Sequence, residues 1–284
     1  MPGRLGANVR HVDLWVAALS ESDREALIER LEVIDRELFQ RDDPGYFRSF
    51  FATGPASAVA VRVFSTQDSQ VVGFNVVRVA DVRINGLRYR VLRTSAAVKR
   101  EYRGAAVLGF TVRMALRERL LHPLTRVVNF EQMTHPWSYS QVARFVRTLY
   151  PRYNRATPAW ARTLIGDLAG HFGLKRGDPS GQPYVCTYGT RTRQTEQERE
   201  RWAQSNNPDA RFYHRLNPGY VEGRALLVLI SVSWADTLVS VAQYLGLRAS
   251  QALRRLTGPT ANEHLRQPPS RTRLPPPPGG DPSN

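Results

Sequence analysis

Residues 94–110 read TSAAVKREYRGAAVLGF, and the reading of this stretch decides the fold. The chain leading into it, LRYRVLRTSAAV, is rich in β-branched and aromatic residues and reads as a strand. The chain leaving it places Leu108, Val112, Ala115 and Leu116 on one face at helical spacing and runs to about Leu121, ahead of Pro123. Between them lies a basic bend with Lys99, Arg100, Arg103 and Gly104. Free backbone N–H groups at a helix start, with cations beside them, form an anion site, so the bend suits a phosphate. A bend of this composition also arises without any ligand, because a single glycine-containing loop is a weak motif.

Upstream, ASAVAVRVF and SQVVGFNVVRVADV read as strands, and Asn85-Gly86 joins the second of these to the next strand as a hairpin. Residues 20–39 form an amphipathic helix with Leu27, Leu31, Ile34 and Leu38 on one face, capped by Ser20 or Ser22. DDPGYFRSFFA follows it as a turn and a short helix. Downstream, TRVVNFEQM reads as a buried strand, SYSQVARFVRTLY as a helix stopped by Pro151, and PAWARTLIGDLAGHFG as a helix ended by Gly173. A short strand, QPYVCTYGT, and a polar helix over residues 193–204 complete this part. Strands come first as a group and then alternate with helices, a mixed α/β (α+β) pattern.

The 284 residues are 42% hydrophobic, enough for a sizeable core. The net charge of +15 favours anionic partners, and nearly all of the positive charge is arginine, Lys99 and Lys175 being the only lysines. Cys186 is the one cysteine, which excludes an intramolecular disulfide and multi-cysteine zinc sites and suits a reducing, cytoplasmic setting. The six histidines show no paired spacing, so no metal is expected. The first residues lack the apolar core of a signal peptide. Late in the chain, ALLVLISVS reads as a strand, followed from Trp234 by an amphipathic helix with Leu238, Val241 and Leu245 on its apolar side and Arg248 nearby. Such a helix either covers the sheet or lies peripherally on an acidic membrane. Asp236 argues against a membrane span. The proline- and arginine-rich end is expected to be disordered.

VVGFNVVRV, the Asn85-Gly86 hairpin, LRTSAAVKREYRG and the helix after it resemble the core of the GNAT acyltransferase superfamily. Val98, Glu101, Tyr102, Arg103 and Gly104 match its strand-to-loop pattern, with Arg100 where proline is common. The resemblance covers roughly residues 20–190. It implies a mainly antiparallel sheet flanked by helices, with residues 1–190 as the core, 191–257 as an extension packing on it and 258–284 as a tail. It implies two strands, 87–98 and 125–132, that splay to admit an acyl-pantetheine, with backbone groups of Ala96 and Val98 along its path. It further implies that Arg103, Gly104, Ala105, Ala106 and Val107 hold the pyrophosphate of coenzyme A. Ala106 and Leu108 stand where the pattern has glycine, and leucine there would crowd a pyrophosphate.

Acyl transfer to an amine needs a base for the amine and an acid for the departing thiolate. By the resemblance, NFEQMTHPWSYSQVARF occupies the region that supplies them. Glu131 and His135 are the candidate bases and Tyr139 the candidate acid, with Tyr150 in reserve. His135, at a helix entry, is alternatively a capping group. Cys186 and His171 read as structural. The expected activity is N-acyl transfer from acyl-CoA or acetyl-CoA, or from an acyl carrier protein, to a small-molecule or peptide amine. A GNAT-like binding or membrane-associated module without catalysis is the alternative. A nucleic-acid-binding protein is a further alternative, disfavoured because no recognition motif accompanies the charge.

Overall fold

A computed structural model describes residues 9–52, 54, 57–102, 106–175, 181–239, 242, 246, 249 and 250. In chain order the elements are β1 (Arg10–Trp15), α1 (Glu21–Leu38), β2 (Phe39–Arg41), α2 (Tyr46–Ser49), β3 (Ser57–Ser65), β4 (Val71–Ile84) and β5 (Leu87–Val98). They continue with α3 (Ala106–Leu121), β6 (Arg126–Met133), α4 (Pro136–Phe145), β7 (Leu149–Tyr150), α5 (Ala159–His171), β8 (Val185–Thr187) and β9 (Thr190–Thr192). The last are α6 (Glu196–Ala203), α7 (Pro208–Leu216) and β10 (Arg224–Ser231). The chain divides into two compact units, Met1–Gln243 and Tyr244–Asn284, and every element named here lies in the first.

The main sheet runs β1-β3-β4-β5-β6-β10-β7, with β8 pairing the other part of β10. All its pairings are antiparallel except β5 with β6. Asn85 and Gly86, at φ of 49° and 78°, make the tight turn that the sequence called for between β4 and β5. Ser20 caps α1 by accepting the Asp23 N–H at 3.1 Å.

Two separate helical layers cover one face of the sheet. Leu27, Leu31 and Ile34 of α1 and Phe47 of α2 pack with Val59, Val61, Phe74, Val76 and Ala97. Further along, Leu164, Ile165 and Leu168 of α5 pack with Val91, Val128, Phe130 and Leu227. On the opposite face, Phe110 and Met114 of α3 pack on Val77, Val79, Leu92 and Val127. Tyr139 of α4 and Tyr213 of α7 cover Met133, Leu226 and Val228.

The helix expected over SYSQVARFVRTLY ends at Phe145, and Leu149–Tyr150 form β7 instead. Further elements add to the sequence reading. VDLW belongs to β1, an edge strand paired with β3. Before β10 lies a helix, α7, started by Asn207, which accepts the Asp209 N–H at 2.9 Å. And β10 does more than pack on the core, because it lies inside the sheet against β6.

Residues 234–239 are helical, as expected. Yet Asp236 and Thr237 are buried, while Trp234 and Leu238 are 40% and 67% exposed. Asp236 turns inward because Thr148 and Ser233 donate hydroxyl hydrogen bonds to it, at 2.6 and 2.5 Å. Satisfying this carboxylate outweighs burying the two apolar side chains at the start of the helix. Among the described residues no helix is long and apolar enough to cross a membrane. The expected tail at 258–284 lies outside the described residues.

Candidate active site

β5 and β6 are paired only from Tyr89↔Arg126 to Leu92↔Asn129. Beyond that point β5 runs on to Val98 beside β4, and β6 runs on to Met133 beside β10. Each strand is thus held by its outer neighbour while the inner ladder stops. Arg93, Thr94, Ser95 and Ala96 are only partly buried, although buried residues precede and follow them on the same central strand. A central strand whose burial loosens over four residues fits an opening in the sheet there.

The backbone of β5 shows which groups face the opening. The Thr94 N–H donates to the Glu131 carboxylate at 3.1 Å, towards β6, and the Lys99 N–H donates to the Val72 carbonyl at 3.0 Å, towards β4. Successive residues of a strand alternate sides, and the β4–β5 register is unbroken from Gly73↔Val98 to Ile84↔Leu87. The backbones of Thr94, Ala96 and Val98 therefore turn towards the opening. Thr94 reaches a side chain where a regular ladder would offer it a carbonyl, so the strands have already separated there.

Glu131 is 6% exposed. Its Oε2 accepts from Thr94, and its Oε1 has no hydrogen-bond partner. Burial pushes the carboxyl up to about 7, against the opposing pull of Thr94, the Arg93 guanidinium and Asn129. The buried Thr94 Oγ1, Asn129 Oδ1 and Gln132 Nε2 also lack partners. Buried polar atoms are rarely left so, and this group lines the separation of the two strands. On the other face of the sheet, Arg93 Nη2 spans the opening to donate to Gln132 Oε1 at 2.7 Å.

α3 begins beside the same end of β5. Asn75, fully buried and in register with Ala96, donates to the Val107 carbonyl at 2.8 Å and to Thr111 Oγ1 at 3.0 Å. Val107 and Tyr102 pack with Val98. Leu108, expected to crowd a bound pyrophosphate, packs instead against the cluster containing Met133 and Tyr139. Arg103, Gly104 and Ala105 lie outside the described residues, as does the side chain of Ala106.

Two candidates stand elsewhere in the chemistry. Tyr139 is fully buried, and its hydroxyl donates to the Pro151 carbonyl at 2.8 Å. Burial, with Asp209 adding to it, pushes its ionisation far above the usual tyrosine range. His135 is buried and caps α4. Its Nδ1 accepts the Trp137 N–H at 3.1 Å, which leaves Nε2–H to donate to Gln194 Oε1 at 3.1 Å. Both side chains are held by the fold in roles that the helix and core require. Tyr150, the reserve, pairs in β7 and packs under α5. Cys186 is buried on β8 and burial pushes its thiol up to about 12, as a structural cysteine requires.

A mainly antiparallel sheet in which β5 and β6 part midway is the layout expected from the sequence resemblance, and the structure makes that pair parallel. The fold is mixed α/β with a mainly antiparallel sheet flanked by helices, as that resemblance implied. No family model and no curated protein matches the chain. Among solved structures it is similar to a conserved Enterococcus faecalis protein described as a probable N-acyltransferase, at 13% identity and TM-score 0.33, over 49% of this chain and 32% of that one. It is also similar to NAA60 of Arabidopsis thaliana, solved with a bisubstrate analogue, at 14% identity and TM-score 0.34, over 49% and 87% of the two chains. This chain thus spans about a third of the Enterococcus chain's length. With likenesses this distant, the chemistry rests on the residues of the opening.

Proposed function

We propose that the protein is an N-acyltransferase that takes an acyl group from acyl-CoA and passes it to an amine. The observation that carries this reading is the opening between β5 and β6, with the Glu131 carboxyl poised near neutrality at its edge. The partly buried β5 segment and the unpartnered Thr94, Asn129 and Gln132 atoms suit an extended, amide-bearing arm such as pantetheine. The backbones of Ala96 and Val98 would run beside that arm. Arg103, Gly104, Ala105, Ala106 and Val107 would meet the pyrophosphate, on the sequence resemblance and the position of the α3 start.

The donor supplies a thioester carbonyl. The acceptor nitrogen forms a bond to that carbon, the carbon–sulfur bond breaks, and coenzyme A leaves as the thiol while the nitrogen loses a proton. Glu131 is the group in the opening with the affinity to take that proton near pH 7, directly or through a water, because its Oε1 is uncommitted. Thr94 holds the carboxyl in place through Oε2. A tyrosine acid is not part of this scheme, since the Tyr139 hydroxyl is bound to the Pro151 carbonyl.

Titration of the protein with coenzyme A and acetyl-CoA by calorimetry tests the donor site, with Arg103→Ala as the variant. Both ligands are expected to bind. Loss of a charge-assisted phosphate contact should weaken them about tenfold or more. A folded protein that binds neither overturns the acyl-CoA reading and turns attention to an acylated carrier protein.

A further inference from the structure

On the face of the sheet opposite α3, the layer of α1 and α2 and the layer of α5 pack on different parts of the sheet. Arg78 of β4 and Arg93 of β5 sit where the two layers meet, directly opposite one another in the ladder. Like charges in that position repel, with Cβ atoms ~5 Å apart. An acid in contact would normally neutralise such a pair, and among the described residues neither arginine forms an ion pair, although the Glu131 carboxyl feels Arg93 from the opposite face of the sheet. Arg78 donates to the Ser49 carbonyl at 3.1 Å. Arg93 donates to the Tyr46 hydroxyl at 3.2 Å and the Gln132 carbonyl at 2.7 Å, both neutral, and its buried Nε has no partner. Of the two buried acids of α1, Asp35 is held by Arg41 at 2.6 and 2.7 Å, and Glu32 by Arg36 and Arg48 at 3.1 Å each. Glu131 is engaged with Thr94 on the other side of the opening.

The surroundings suit a small ligand. The Arg93 guanidinium lies 4.5 Å over the Phe172 ring and 5.6 Å over that of Phe50. Tyr46 stands edge-on to Tyr188 at 5.1 Å. Arg93, Arg78, Tyr46, Phe172, Gln132 and Tyr188 are all only partly buried. Arg78 is shifted below the usual arginine range by burial and by Arg93. Two facing cations with no ion-pair partner among the described residues, one of them stacked on aromatic rings and holding an unused buried N–H, make a receptor for an anion.

We propose that Arg78 and Arg93 bind an anionic group, a carboxylate or a phosphate, carried by the acceptor amine. This rests on the acyltransferase reading for the word acceptor, but the anion site stands on its own geometry. Arg93 spans to Gln132 across the same opening that Glu131 edges from the opposite face, so an acceptor anchored there meets the base by passing its amine between β5 and β6. The substrate class is an amine bearing its own acidic group, such as an amino acid or a phosphoamine.

Binding and turnover are measured separately. N-acetylglycine, N-acetylleucine and N-acetylphenylalanine, the products such a reaction would release, are titrated against their amides, with phenyl phosphate as the phosphate probe. At least one anion is expected to bind, with its neutral counterpart at least about tenfold weaker, as for the loss of a charged hydrogen bond. Arg78→Gln and Arg93→Gln are expected each to reduce anion affinity about tenfold or more, and Arg93→Lys to restore part of it. Arg78→Gln relieves repulsion and should keep or raise the melting temperature, which guards against a folding artefact. Carboxylate or phosphate preference among the probes identifies which anion the site takes. Equal binding of acids and amides, no binding by any probe, or affinities untouched by both glutamine variants overturns the proposal. In parallel, release of coenzyme A is followed with free amino acids, their amides, phosphoethanolamine and ethanolamine. Anion binding without release under any acceptor would sink the acyltransferase reading alone. Release with neutral amines as fast as with acids, unaffected by Arg93→Gln, would sink the anion site alone.

Discussion

The carboxylate of Glu131 accepts the backbone N–H of Thr94 at 3.1 Å across the point where β5 and β6 part. One strand's backbone donor is thereby satisfied by the other strand's side chain, and the sheet tolerates an opening without leaving that N–H buried and unpaired. The same contact fixes one carboxylate oxygen and leaves the other without a partner.

A base works only when deprotonated. With its carboxyl at about 7, Glu131 should give an acyl-transfer rate that rises with pH and levels off above neutrality. In Glu131→Gln that rise should vanish and the rate should fall by ~100-fold or more, in the range typical of a lost general base. Rates of coenzyme A release from pH 5.5 to 8.5 in the two proteins measure this. A glutamine variant that keeps the full rate and the same profile removes Glu131 from the chemistry.

The same group affects stability. Its folded value is raised from 4.5 to about 7, so the folded state holds the proton more tightly than the unfolded chain does. The stabilising contribution is complete below about 4.5, falls as pH rises, and is gone above about 7. Glu131→Gln stays neutral throughout. Its stability relative to the parent should therefore improve between pH 5 and pH 8, by on the order of 3 kcal/mol. Urea unfolding at the two pH values reads the change directly, and an unchanged difference would contradict the buried, raised carboxyl.

Tyr139→Phe removes one hydroxyl from the core and leaves the Pro151 carbonyl without its donor. The expected cost is about 1–3 kcal/mol of stability. Turnover below the melting transition should be unchanged, because the hydroxyl points into the core. A variant that melts normally but turns over slowly would restore Tyr139 to the mechanism.

Gly73→Ala tests the backbone of the opening. A Cβ at Gly73 would lie 2.7 Å from the Ala97 carbonyl oxygen and 2.9 Å from the Val98 Cα. Backbone cannot yield as a flexible side chain does, so β4 and the 96–98 end of β5 must separate. Overpacking of this kind costs about 1–3 kcal/mol. Acetyl-CoA affinity should fall along with the melting temperature. Undiminished affinity would place the donor arm away from this part of β5.

Local pattern was enough for much of the architecture. The apolar spacing of α1, the Asn85-Gly86 turn, the strand at 87–98 and the helix after the basic bend are each specified by neighbours in the chain. So is the strand now seen as β10, read from ALLVLISVS, although its place inside the sheet is not. Glu131 is a candidate from the sequence because the resemblance points to the strand that carries it.

What the sequence could not supply was the company each side chain keeps. His135 and Tyr139 have the right chemistry for catalysis, but the fold directs one to a helix cap and the other to a backbone carbonyl. Leu108 looked obstructive and instead packs inward, because its direction depends on how α3 lies on the sheet. Arg78 and Arg93 are 15 positions apart and unremarkable among 40 basic residues until β4 and β5 set them opposite one another. Periodicity along the chain therefore determined the elements, since helix and strand repeats arise from local backbone geometry. Strand pairing across the sheet decided the site, because hydrogen-bond partners, uncompensated charges and the opening itself are properties of segments that meet only in three dimensions.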